Sequence, residues 1–273
     1  MDLEQKAIER IKTASEMSLE YYKQPLICTY SGGKDSDVLL ELFKRSGVPF
    51  EVQHSHTTAD APQTVWHVCD NFKKLEEGGI KCSINYQRKP DGTRITMWNL
   101  IPKKLMPPTR LVRYCCKELK ETAGMGRYVA TGVRWDESTK RKHTRSEFEK
   151  VGASVKTKES FDDSVMINND NNFKRRITEL CMQKHKMVVN PIVDWKEEDI
   201  WNYIDQENIC VNELYQCGYK RVGCIGCPMA GRKAKNLPTQ WESGEEVFLW
   251  WIEDKNVAGQ REFKVAENGQ LMW

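Results

Sequence analysis

Ser31-Gly32-Gly33-Lys34-Asp35-Ser36 stands between two stretches of different periodicity. The short apolar run before it, Pro25-Leu26-Ile27-Cys28-Thr29-Tyr30, reads as a buried strand. Asp37-Val38-Leu39-Leu40-Glu41-Leu42-Phe43, after it, places its apolar residues at helical spacing. A strand, a tight glycine turn and a helix N-terminus make an anion cradle. The glycines let backbone N–H groups approach a ligand with no Cβ in the way, and the helix dipole adds about half a positive charge. Ser31 and Ser36 contribute hydroxyls and Lys34 a charge. The turn therefore predicts a grip on phosphate, pyrophosphate or sulfate. It is not a Walker A loop, which needs G-x-x-x-x-G-K-[ST].

Outward from this turn, strand and helix patterns alternate. Residues 3–22 read as an amphipathic helix with Leu3, Ala7, Ile8, Ile11, Ala14 and Leu19 mostly on one side. Strands are expected at 48–54, 80–86, 127–133 and 188–192, and helices at 61–75, 172–185 and 196–206. Residues 142–171 are polar and read as a surface excursion with hairpin character. Strands separated by helices predict an α/β fold. The expected form is an open, mostly parallel, doubly wound sheet with helices on both faces, binding ligands at the carboxyl ends of its strands. Residues 1–232 are read as the nucleotide-binding domain, including the N-terminal helix and the cysteine-bearing segments. Residues 233–273 form an aromatic-rich extension with Trp241, Phe248, Trp250, Trp251 and Trp273, completing a small, Cys-rich and helical C-terminal part.

The composition fits a cytoplasmic enzyme. The chain has 273 residues, a net charge of +3 and 39% hydrophobic residues. No apolar run reaches the roughly 18 residues of a membrane span, and the N-terminus lacks a signal-peptide pattern. The charge suits an anionic small molecule and does not by itself mark a nucleic-acid protein.

Ten cysteines without a secretion signal favour metal or redox chemistry over disulfides. Six are scattered singly, and most of them read as small buried hydrophobes. The other four are paired, as Cys115-Cys116 and as Cys224-Ile225-Gly226-Cys227. Four thiolates suit a 4Fe–4S cluster or tetrahedral zinc. Adjacent cysteines fit one zinc poorly but can reach two irons of a cubane, so the cluster is preferred to zinc.

With both motifs in hand, the chain resembles the phosphoadenylyl-sulfate (PAPS) and adenylyl-sulfate (APS) reductase family over residues 25–232, within the PP-loop ATP-pyrophosphatase superfamily. The S-G-G-x-D-S turn matches the PP-loop. Further blocks match in order: His54 to Thr64 with its Pro62-Gln63-Thr64, Cys115 to Lys120, Thr131-Gly132-Val133-Arg134 with Glu137-Ser138, Asn190 to Trp201, and Leu214-Tyr215 through Cys224. The double cysteine with C-x-x-C resembles the family's iron–sulfur branch. The resemblance implies that Ser31, Gly32, Gly33, Lys34, Asp35 and Ser36 hold the anionic end of an adenine nucleotide. Thr57 and Thr58 would line the pocket, Arg134 would clamp a phosphate, and Cys115, Cys116, Cys224 and Cys227 would hold the cluster. Asp35 and Asp60 are candidate ligands for Mg²⁺ accompanying ATP.

One departure matters. Similar reductases carry a nucleophilic cysteine in a Glu-Cys-Gly-x-His-type motif near the C-terminus, and here neither cysteine nor histidine follows Cys227. That favours ATP-dependent adenylylation and sulfur transfer, with nucleic-acid modification among the expected settings. Two other readings stay open: sulfonucleotide reduction with another nucleophile, and a non-catalytic nucleotide-binding subunit or sensor. A nucleic-acid or protein partner within a modification complex, and a homo-oligomer, are expectations of the same kind.

Overall fold

The computed structural model describes residues 2–109, 111–121, 123–151, 186–225 and 227, together with two short strands, Lys264–Val265 and Leu271–Met272. The expected helix over 172–185 and the aromatic residues of the 233–273 extension lie outside the described residues. So do Gly226 and the part of the expected excursion beyond residue 151.

The sheet has six strands: β1 (Leu26–Thr29), β2 (Phe50–Ser55), β3 (Cys82–Asn85), β4 (Tyr128–Ala130), β5 (Phe148–Val151) and β6 (Lys186–Val189). Their order is β3-β2-β1-β4-β6-β5. All neighbouring pairs are parallel except β5 with β6. This is the mostly parallel α/β sheet that the alternating pattern predicts. The stretch read as a surface excursion corrects in part: after the short helix Thr139–Thr144, Phe148–Val151 joins the sheet as an antiparallel edge strand. Its alternating Phe148-Glu149-Lys150-Val151 is too short and too charged to stand out as a strand by periodicity.

The topology fixes the site. From β1 the chain runs outward through β2 to β3, then returns to place β4 on the other side of β1. The strand order reverses between β1 and β4, and at such a switch point open α/β sheets bind ligands in the crevice outside the carboxyl ends of the strands. β1 delivers the glycine turn to that crevice, and β4 delivers Thr131-Gly132-Val133-Arg134.

Helix α1 (Leu3–Met17) buries Ala7, Ile11, Ala14 and Met17, as its spacing predicts. It then continues as a wider turn over Ser18–Tyr22, where Leu19 is 40% exposed and so leaves the expected apolar side. Helix α2 (Lys34–Ser46) buries Val38, Leu39, Leu40, Leu42 and Phe43 and stops at Gly47, whose φ of 68° provides the left-handed cap. Helix α3 (Pro62–Glu77) starts on a proline, whose missing N–H costs nothing in a first turn. Helix α4 (Met97–Lys104), α5 (the single turn Tyr114–Cys116), α6 (Thr139–Thr144) and α7 (Glu197–Glu207) complete the described helices. One core of β1, β2, β4 and β6 side chains with α1, α2, α3 and α7 lies beneath the crevice. A smaller cluster of Ala59, Met97, Leu100, Ile101, Tyr114 and Leu119 lies beside it.

Candidate functional site

At the glycine turn, Gly32 has a φ of 74°, and a Cβ there would stand 2.9 Å from Val68 Cγ2 and 3.1 Å from Thr64 Cγ2. Glycine is thus required both by the left-handed backbone and by the close approach of α3. Gly33 caps α2, whose first turn carries Lys34, Asp35 and Ser36. The Ser36 hydroxyl accepts from the Gly33 N–H (3.1 Å) and lies 3.3 Å from the Ser31 hydroxyl, so both serines belong to the turn.

Lys34 is buried. Its ammonium lies 3.1 Å from Glu197, donates to the Lys220 carbonyl at 3.3 Å, and stands 5.3 Å and 5.7 Å from the ring centres of Tyr215 and Trp201. Arg134 is 2% exposed. Its Nε donates to Asp35 at 2.5 Å and its Nη2 to Glu197 at 2.6 Å, while the buried Nη1 has no hydrogen-bond partner. Arg134, the expected phosphate clamp, thus lies beside the turn with its guanidinium engaged by Asp35 and Glu197, and with Asp136 3.7 Å from Nη1. Burial opposes the charge on Glu197, but hydrogen bonds and ion pairs with Arg134 and Lys34 hold its carboxyl below the usual range. Gly132 lets β4 approach this group: a Cβ there would lie 3.1 Å from the Asp35 carbonyl oxygen.

Thr57 and Thr58 follow β2. Thr58, at a φ of 64°, donates its hydroxyl to the Thr57 carbonyl and accepts from the Met97 N–H at 2.8 Å, which ties α4 to the loop. Thr57 faces the cysteines. It is 1% exposed, and its hydroxyl lies 3.3 Å from Cys224 Sγ. Asp60 accepts from the Thr57 N–H at 2.9 Å and forms an antiparallel backbone bridge with Cys224.

Cys115 and Cys224, 109 positions apart in sequence, pack against the same small apolar cluster. Cys116 is hydrogen-bonded to the Cys115 thiol and accepts from Arg113 at 3.4 Å. The bond from Cys115 comes first among the causes that lower the Cys116 thiol to about 5, with Arg113 and Lys120 adding to it, while Cys115 is pushed up. Burial raises Cys224, against the pull of Lys120. Lys120 is exposed as a residue, but its ammonium turns inward toward Cys224, Asp60 and Cys116, which hold its pKa up against desolvation. The Cys227 N–H donates to the Cys224 carbonyl at 3.3 Å. Four sulfurs with two ammonium or guanidinium groups nearby are a donor set that suits a thiolate-ligated metal or cluster. Among the described residues, however, no three Cys, His, Asp or Glu side chains stand together closely enough to hold an ion. The expected magnesium ligands are both engaged, Asp35 by Arg134 and Asp60 by the Thr57 N–H.

Asn212, which the sequence reading passed over, and Tyr215, which it quoted only within a longer block, join these halves. Asn212, fully buried, donates to the Gly32 carbonyl at 3.3 Å and to the Thr64 hydroxyl at 3.2 Å, and accepts from the Leu214 N–H at 3.0 Å. The Lys34 N–H donates to the Tyr215 hydroxyl at 3.0 Å. Asn212 carries no motif of its own. Glu197 was passed over as well, because as the first residue of α7 it looks like an ordinary acidic helix start. Trp195 is core, as its pattern suggests, and Trp201 packs on Tyr215. No helix among the described residues is long and apolar enough to cross a membrane.

Comparison with known proteins places these features. Residues 25–230 match the phosphoadenosine phosphosulfate reductase domain. An uncharacterized protein of Methanocaldococcus jannaschii is 25% identical over 244 residues, covering 87% of this chain and 44% of the relative, so this chain spans less than half of that protein's length. The adenosine 5'-phosphosulfate reductase of Staphylococcus haemolyticus is 22% identical over 220 residues, 78% of this chain and 74% of the relative. The crystal structure of phosphoadenylyl-sulfate reductase from Candida auris, a phosphate complex, aligns at a TM-score of 0.45 with 18% identity, covering 81% of this chain and 95% of that one. With its domain match spanning the glycine turn, the Gly132–Arg134 segment and both cysteine pairs, this chain belongs to the phosphoadenosine phosphosulfate reductase domain family.

Proposed function

We propose that this protein binds an adenine nucleotide by its anionic end at the PP-loop and carries out sulfur chemistry beside it, with ATP-dependent adenylylation and sulfur transfer as the leading reaction. The observation that carries this reading is the run from Asn212 to Cys224. It fastens to the glycine turn through Asn212, Tyr215 and Lys220, and to the Thr57–Asp60 loop through Cys224. An anion cradle and a thiol site are thereby held by one short stretch of chain.

Lys34, Arg134 and the amides of the turn would take the phosphates, with Arg134 exchanging a carboxylate for a phosphate on the same planar fork. Mg²⁺ arriving with ATP needs only one or two protein carboxylates, and Asp35 is within reach of that role once Arg134 turns to the ligand. An acceptor oxygen then attacks the α-phosphorus and the bond to pyrophosphate breaks. A sulfide nucleophile displaces AMP from the adenylylated acceptor, so that a bond to sulfur replaces the bond to oxygen and that oxygen leaves with the phosphate. Cys115, Cys116, Cys224 and Cys227 would hold a 4Fe–4S cluster. Such a cluster supplies, when bound, a point for electron exchange and sulfur ligation.

Sulfonucleotide reduction is the second reading, favoured by the similarity to adenosine 5'-phosphosulfate reductase over three-quarters of that protein. Its nucleophile would lie outside residues 228–273, which hold no cysteine. The two separate in one pair of assays on anaerobically purified protein: pyrophosphate release from ATP, and sulfite release from APS or PAPS with a thiol reductant. Pyrophosphate release dependent on an acceptor supports the transferase. Sulfite without pyrophosphate selects the reductase, and neither, in a protein that binds no nucleotide, overturns both. Iron, sulfide and zinc analysis of the same sample, with Cys116→Ser and Cys224→Ser beside it, tests the cluster.

A further inference from the structure

Tyr215 closes a short helical turn, Glu213–Tyr215, and lies across the start of α2. Its ring meets Trp201 edge-on at 5.5 Å and stands beside the Lys34 ammonium. Its hydroxyl oxygen accepts the Lys34 N–H, and it is so close to Gly33 that an added Cβ would come within 3.3 Å of it. The backbone N–H of Val222 also faces this oxygen, and burial pushes the phenol up to about 12, so it stays neutral. An amide has one proton to give. A ligand oxygen and the tyrosine oxygen cannot both take it at good geometry, and a charged oxygen is the stronger acceptor.

What lies on either side of Tyr215 is anchored. Asn212 is bonded to the Gly32 carbonyl. Beyond Tyr215, the Lys220 carbonyl accepts from Lys34, the Cys224 backbone bridges Asp60, and the Ile225 N–H donates to the Ala59 carbonyl at 2.7 Å. A movement of Tyr215 therefore has a short path to the Cys224 sulfur beside Thr57.

We propose that Tyr215 is a positioning residue: its hydroxyl occupies the Lys34 amide until the nucleotide's anionic end takes that amide, and its departure shifts the backbone that carries Cys224. This rests on the reading of the glycine turn as the nucleotide site. The event is an exchange of hydrogen bonds, with no bond made or broken covalently.

The test uses inorganic pyrophosphate as probe, the metal-free 273-residue chain, and Tyr215→Phe, which keeps the ring on Trp201. Affinity is measured by calorimetry, and maleimide alkylation is followed residue by residue, with exposed Cys69 on α3 as internal reference. The variant is expected to bind pyrophosphate about three- to tenfold more tightly, the worth of one neutral hydrogen bond removed from competition. In the parent protein, pyrophosphate changes the Cys224 alkylation rate at least about twofold and leaves Cys69 unchanged. In Tyr215→Phe the Cys224 rate no longer responds. Equal or weaker binding by the variant, or the same Cys224 response in both proteins, overturns the proposal. A parent protein that binds no pyrophosphate overturns the nucleotide-site reading itself, which is a different result.

Discussion

Asn212 and Gly32 are joined by a buried hydrogen bond of 3.3 Å across 180 positions of sequence, and with it the strap that ends at Cys224 begins on the glycine turn. The same Asn212 side chain meets Thr64 on α3, so three elements converge on one amide.

Asn212→Ala removes this junction and leaves the Gly32 carbonyl, the Thr64 hydroxyl and the Leu214 N–H without their partner. Unfolding in urea is expected to show a loss of about 1–3 kcal/mol, the cost of unpaired buried groups. Nucleotide affinity should fall with it, because the turn loses its outer support.

Gly32→Ala and Gly47→Ala separate crowding from backbone conformation. Both glycines have positive φ, but only Gly32 has neighbours where a Cβ would go. Gly47→Ala is expected to cost about 1 kcal/mol and leave ligand binding intact. Gly32→Ala should cost about 2 kcal/mol or more and abolish pyrophosphate binding, read by denaturation and calorimetry.

Arg134→Lys keeps a charge but loses the fork that reaches Asp35 and Glu197 together. A stability loss of about 1–2 kcal/mol is expected, below that of a fully buried pair, because both carboxylates keep contact with solvent. Binding of ATP and of pyrophosphate should weaken by about tenfold or more. Equal affinity in the variant would remove Arg134 from the phosphate site.

His54 sets the pH response nearest neutrality. It is 4% exposed, and its Nδ1 lies 2.9 Å from the Tyr30 carbonyl. Burial, partly offset by that carbonyl and Asp60, pushes the imidazole below its usual value, and His56 is lowered in the same way. A base with a depressed folded pKa contributes stability above its ordinary value of about 6.5, and that contribution is lost as pH falls through the folded value. Urea midpoints should therefore drop from about pH 7 toward pH 5, and His54→Gln should flatten the drop. Asp194, whose hydrogen bonds and ion pairs with Arg10 and Lys6 outweigh burial and lower its pKa, adds a second loss at more acid pH, below the ordinary carboxylate value.

Much of this molecule was legible in the order of its residues. The run from Pro25 to Phe43 announces strand, turn and helix. The strands at Phe50–Ser55 and Lys186–Val189 fall close to their apolar patterns, because parallel strands buried on both faces advertise themselves. Helix α4 was not read, since Pro102 sits inside it and its apolar face packs on a small separate cluster. The edge strand β5 was hidden by its charges. In the candidate site, the glycine turn, Lys34 and the paired cysteines stand out by type and spacing. Asn212, Tyr215 and Glu197 are ordinary residues whose importance comes from what the fold sets opposite them, which no local pattern encodes.

In the Arg134–Asp35–Glu197–Lys34 group both cations already face carboxylates, and Asp136, 3.7 Å from Arg134, adds a third negative charge. A polyphosphate bound as proposed would take the two cations and leave these carboxylates without them. The guest must therefore bring positive charge along or take up protons as it lands. Measured uptake of magnesium or hydrogen ions should accompany each molecule captured, and buffers of different ionisation enthalpy would make that uptake visible as heat.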